Sequence, residues 1–255
     1  MSKVSDIIKV IEDFAPLSLQ GEFDNCGLKL GSMDTKVSGI LITLDTNEDI
    51  VNEAIEKNCN FILEHHPSIF YPLKKLDYDL PLIKAISLAI KHDIAIYSAH
   101  TNVDFAENGL NDYFAKKIGL NKVYSLKADG ARMGKLNEET TLAQYAQKLR
   151  EILKDNNIRT VGRLDKKIKK VAAINGGGGS SADELVTSFR QGCDIFVSGD
   201  VKYAVSRLAK DLDYGIIEIG HYTSEQDFLP LMGRILEEKL DTKVFLSERQ
   251  TNPYN

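Results

Sequence analysis

The stretch GILITLDTNEDIVNEAIEKNCNFILEHHPSIF, residues 39–70, decides the fold class. Two short apolar runs, Gly39–Leu44 and Asn60–Leu63, flank Asn47–Lys57, whose apolar residues fall on one helical face. Strand, helix and strand in quick succession are the signature of α/β architecture. The same alternation continues outward. Further strands are expected at Ile94–Ser98, Lys170–Asn175, Asp194–Ser198, Tyr214–Ile219 and Lys243–Leu246. Helices are expected at Leu80–Lys91, Leu110–Ile118, Thr141–Asp155, Ala182–Gln191, Lys202–Lys210 and Glu225–Lys239. Ahead of them, Val4, Ile7, Ile8, Ile11 and Phe14 give the N-terminus an amphipathic helix.

The stretch also has an echo. Shifted by 134 positions, residues 37–60 meet 171–194, with Val37, Ile40, Asp49 and Cys59 over Val171, Ile174, Asp183 and Cys193. With the shift changed to 121, His100 falls on His221 and Asp104 on Glu225. An ancient duplication of an α/β unit and a coincidence of two α/β layouts both account for this. The alternation breaks at ADGARMGKL, residues 128–136, which is the expected boundary. The expected division is residues 1–125 plus 211–255 as a metal-binding α/β domain, and 126–210 as a second α/β domain.

Composition bounds the function classes. A chain of 255 residues, 43% hydrophobic and 27% charged, buries a core without disulfides or metal to help it fold. Its net charge of -5 argues against a general nucleic-acid binder. No apolar run reaches the roughly 18 residues of a membrane span. Lys9, Glu12 and Asp13 break any signal-peptide core. Three scattered cysteines, Cys26, Cys59 and Cys193, fit a reduced, cytoplasmic protein.

Of five histidines, four follow expected strands: His65 and His66 in EHHPSIF (64–70), His100 in AHTNVD (99–104) and His221 in GHYTSE (220–225). His92 is expected on the surface. Ligands of α/β proteins bind beyond the carboxyl ends of strands. Neutral imidazoles together with carboxylates suit zinc, iron or manganese. His221 and Glu225, four apart, share a face at a helix start, and Asp104 supplies a second carboxylate. Such residues also serve as caps or satisfied buried polar groups, and three segments together favour metal. Gly176, Gly177, Gly178 and Gly179, in AINGGGGSSADE, either cradle a phosphate or form a tight strand-to-helix turn. The run LDKKIKK (164–170) reads as a solvated strand face, and FDNCGLKLG (23–31) as a loop or a site lining.

EHHPSIF, AHTNVD, SGDVKYA (198–204) and GHYTSE, in that order, resemble the NGG-interacting factor three-like family, whose bacterial members are called GTP cyclohydrolase I type 2 homologs. FDNCGLKLG, GARMGKL (130–136), VAAINGGGGSS (171–181) and TNPY (251–254) extend the resemblance over nearly the whole chain. It implies two similar α/β domains and two divalent ions held by His65, His66, Asp104, His221 and Glu225, with Glu225 bridging. It implies a homohexamer, and purine-ring opening of a phosphate-bearing substrate such as GTP, by hydroxide attack with loss of formate. His100 is the first choice for proton transfer and Glu64 the second. Another metal-dependent nucleotide phosphoesterase, or a non-catalytic metal-binding scaffold or regulator, are the alternatives. Phe23 stands where the family usually has Trp, and Ala204 where it often has His.

Overall fold

The computed structural model describes residues 2–127 and 130–254. It divides into two compact units, residues 1–106 with 228–255, and residues 107–227.

The first unit holds strands β1 (Gly27–Leu30), β2 (Ile40–Thr43), β3 (Phe61–Glu64) and β4 (Ala95–Ser98), and helices α1 (Val4–Phe14), α2 (Glu48–Glu56), α3 (Pro81–Lys91) and α4 (Thr101–Phe105). The second holds α5 (Leu110–Lys117), β5 (Asn121–Ser125), β6 (Arg132–Thr141), α6 (Leu142–Leu153), β7 (Arg159–Val161), β8 (Lys167–Ala173), α7 (Ala182–Arg190), β9 (Ile195–Ser198), α8 (Tyr203–Asp211), β10 (Gly215–Glu218) and α9 (His221–Glu225). The chain then returns to the first unit with α10 (Phe228–Lys239) and β11 (Val244–Leu246).

In the first unit the sheet order is β1-β4-β3-β2-β11. All neighbours are parallel except β1, which runs antiparallel to β4. Every residue of β2, β3 and β4 is buried, because the sheet is covered on both faces. Leu41, Ile62 and Ile96 pack with α2 and α3 residues such as Val51 and Ala85.

In the second unit the order is β5-β6-β8-β9-β10-β7. β8, β9 and β10 are parallel, and β5, β6 and β7 join antiparallel. Alternation sorts the side chains. Val171, Ile195, Val197 and Ile217 face Leu142, Tyr145 and Leu149 of α6, while Ala172, Phe196 and Ile216 face Leu185 and Val205. Thr141 caps α6 with Gln144 in a capping box, an arrangement contributing about 1 kcal/mol.

This division differs from the one expected. β5 and β10 are paired into the second sheet, so residues 107–125 and 211–227 belong with the second unit and not with the first. His221 and Glu225 move with them, and the second unit contributes candidate ligands. The expected boundary at 128–136 is also corrected. Residues 128 and 129 lie outside the described residues, and from Arg132 the segment is β6, paired with β8. Gly134 marks close approach instead of a linker: a Cβ there would lie 2.8 Å from the Leu120 Cβ. No helix among the described residues is long and apolar enough to cross a membrane.

Candidate functional site

In the first unit β3 ends at Glu64, and the next two residues are His65 and His66. Beyond the strand the strict alternation of faces lapses, and the two rings sit together with centroids 5.0 Å apart. His100 follows β4, with its ring 5.1 Å from His65 and 5.7 Å from His66. One nitrogen of each ring lies within 4.8 Å of the others.

Each ring is oriented from behind. His65 is fully buried, and its Nδ1 is 2.9 Å from the Ala99 carbonyl oxygen. A carbonyl only accepts, so Nδ1 carries the proton and Nε2 the lone pair. That lone pair faces Asp104 Oδ1 at 3.8 Å, too far for a hydrogen bond. Two electron-rich atoms held face to face fit a cation between them, since two ligands each about 2.1 Å from an ion lie at most ~4.2 Å apart. His66 Nδ1 meets Asp45 Oδ1 at 2.8 Å, and His100 Nδ1 meets Asp24 Oδ1 at 2.8 Å. Such partners fix tautomer and aim, as behind ligating imidazoles generally.

Asp24 is buried behind His100. It accepts from the Thr101 amide at 3.1 Å, from the Thr101 hydroxyl, and from Cys26 Sγ at 3.2 Å. Burial alone would raise its pKa, but the His100 ring and these donors outweigh it and hold the carboxyl well below the usual range. Burial pushes the neighbouring Cys26 thiol up to about 12, so it stays protonated.

Glu64, the second choice for proton transfer, ends β3 with its side chain buried. Its Oε1 accepts from the Ser68 amide at 2.8 Å, the Ser68 hydroxyl at 2.9 Å and the Ser98 hydroxyl at 2.6 Å. Burial raises its pKa in spite of these bonds. It pins the His65–Ser68 turn to β4, which is a supporting role.

In the second unit, His221 and Glu225 occupy the single turn of α9, and Nε2 lies 2.9 Å from Glu225 Oε2. His221 Nδ1 meets Asp200 Oδ2 at 2.7 Å. The glycine-rich segment forms a 3-10 turn at Gly176–Ser180. Three of its four glycine amides are spent internally: Gly176 donates to Ser224 Oγ, Gly178 to the Asn175 carbonyl and Gly179 to the Gly199 carbonyl. Those three amides are not turned to a phosphate. The turn supplies clearance instead. Gly176 has φ +54°, and a Cβ on it would lie 1.9 Å from Glu225 Oε1.

Of the carboxylates behind three of the rings, Asp24 lies in FDNCGLKLG, for which a site-lining role was one of two readings, whereas Asp45 and Asp200 were not singled out from sequence. Asp45 and Asp200 each stand two residues beyond the end of a parallel strand, as His66 and His100 do. That spacing was the available signal. His92 is exposed at the end of α3.

A family model described as Duf34/NIF3 (NGG1p interacting factor 3) matches residues 2–253. The chain belongs to this family. Among its relatives is a Clostridium acetobutylicum protein named GTP cyclohydrolase 1 type 2 homolog, 34% identical across 99% of this chain and 98% of its own. A solved structure of a Bacillus cereus protein related to NIF3 is similar with TM-score 0.91 and 25% identity, covering 100% of this chain and 99% of that one. Reduced HcgD from Methanocaldococcus jannaschii is similar with TM-score 0.84 and 27% identity, covering 97% and 98%. The Duf34/NIF3 fold is thus this chain's fold, a mixed α/β architecture with two sheets.

Proposed function

We propose that the chain is a metal-dependent hydrolase acting on a phosphate-bearing nucleotide, with purine-ring opening of GTP as the preferred reaction. In this reading His65, His66, Asp104, His221 and Glu225 would hold two divalent ions. The observation that carries it is the His65 Nε2 facing the Asp104 carboxylate, a pairing of donor atoms that suits a cation. Zinc, iron and manganese all suit the donor set. Divalent ions would supply Lewis acidity and activate water for attack. The chain's own residues do the rest. Asp24 holds the His100 ring with Nε2 outward, fit to take or give a proton at the purine. Glu64 and Asp45 keep the histidine pair fixed while that happens. The repeated strand layout of the two units supports an internal duplication, and a cytoplasmic homohexamer remains part of the proposal.

The test combines elemental analysis with a turnover screen of nucleotides by metal-loaded protein. Two divalent ions per chain and GTP consumption with formate release are expected. Absence of turnover of every nucleotide, with metals bound, would contradict the hydrolase and favour a metal-carrying scaffold.

A further inference from the structure

The C-terminal segment after β11 is strapped to the first unit. Ser247 donates its amide to the Ile42 carbonyl and its hydroxyl to Glu53 Oε2 at 2.6 Å. The Glu248 and Arg249 amides also bond to the buried Glu53 carboxylate, at 2.9 and 3.3 Å. Arg249 pairs with Glu56 at 2.5 Å. These contacts deliver Gln250 to the loop that follows β2. There a single oxygen, Gln250 Oε1, accepts from the Thr43 hydroxyl at 2.7 Å, the Leu44 amide at 3.2 Å and the Asp45 amide at 3.0 Å. Its Nε2 reaches Asp45 Oδ2 at 3.4 Å.

The clamped loop is the one that holds the histidine pair. The Leu44 carbonyl accepts the His65 and His66 amides, and Asp45 Oδ1 orients the His66 ring. Asp45 is half exposed. We infer that Gln250 is a positioning residue for His66, acting through Asp45 and the Thr43–Asp45 loop. This rests on the metal reading above and deepens it: aim of one ligand is set by the last residues of the chain. A mere anchor for the tail would need neither three donors converging on one oxygen nor an amide turned to the Asp45 carboxylate.

The experiment uses full-length Gln250→Ala and Gln250→Glu. The glutamate keeps an acceptor for the three donors but sets an oxygen against Asp45. Zinc titration of chelator-stripped protein gives the affinities. Nitrogen-15 labelling of the five histidines reads the His66 tautomer without any metal. A direct partner of a ligating imidazole is worth roughly 10–100-fold in affinity. One step further out, both variants should weaken one zinc by about 3–10-fold and leave the other unchanged. Both should also disturb the Nδ1-protonated His66 signal. Unchanged affinities and an unchanged His66 ring in both variants would overturn the inference. Failure of the wild type to bind zinc would instead refute the metal reading, and the ring signals alone would then decide for or against Gln250.

Discussion

The two units share a parallel core and decorate it differently. Along β2, β3 and β4 in the first unit and β8, β9 and β10 in the second, the first strand of each trio is followed by Asp45 and by Gly176. After the middle strand they place His65 with His66, and Asp200. After the third they place His100 with Asp104, and His221 with Glu225. In the first unit a carboxylate beyond the first strand holds a ring beyond the middle one; in the second, a carboxylate beyond the middle strand holds a ring beyond the third. The freed position in the second unit is given to a glycine, which lets Glu225 lie against the chain. The scaffold fixes where chemistry sits, and the residue two or three past each strand fixes what it is.

The largest expected effect breaks that contrast at the glycine. Gly176→Ala puts a Cβ into the left-handed region and onto the Glu225 carboxylate. Strain and overpacking together should cost roughly 2–5 kcal/mol, read by denaturant unfolding. An alanine variant as stable as the parent would show that clearance is not why glycine stands there.

A smaller effect belongs to the first unit. The Asp24 pKa is depressed in the folded state, so its contribution is present above the unfolded value and lost as pH falls through the folded one. Stability should therefore drop below pH ~4 in the parent, and Asp24→Asn should flatten that dependence while costing about 1–3 kcal/mol at neutral pH. Equal slopes in acid for both proteins would remove Asp24 from the account.

Strands buried on both faces, such as ILIT at 40–43 and IFVS at 195–198, are legible because burial makes them uniformly apolar. β1, β5, β6 and β7 were not, since antiparallel and edge strands carry polar residues. In β6, RMGKLNEETT hid a ten-residue strand behind a glycine. That His65, His66, His100 and His221 follow strands was legible from the apolar runs before them. The oriented partners were not, because His100 and Asp24 lie 76 positions apart and only the fold brings them together. That Ser68 and Ser98 converge on Glu64 Oε1 was not legible either, because Ser98 lies on another strand.

The central claim is the proposed set of ligands for two ions, His65, His66, Asp104, His221 and Glu225, and elemental analysis of the parent beside Glu225→Ala tests it most directly. Glu225 is the proposed bridge, so the parent should carry two divalent ions per chain and the variant should lose most of both, with its fold intact by circular dichroism. Two ions retained in Glu225→Ala would contradict the ligand assignment.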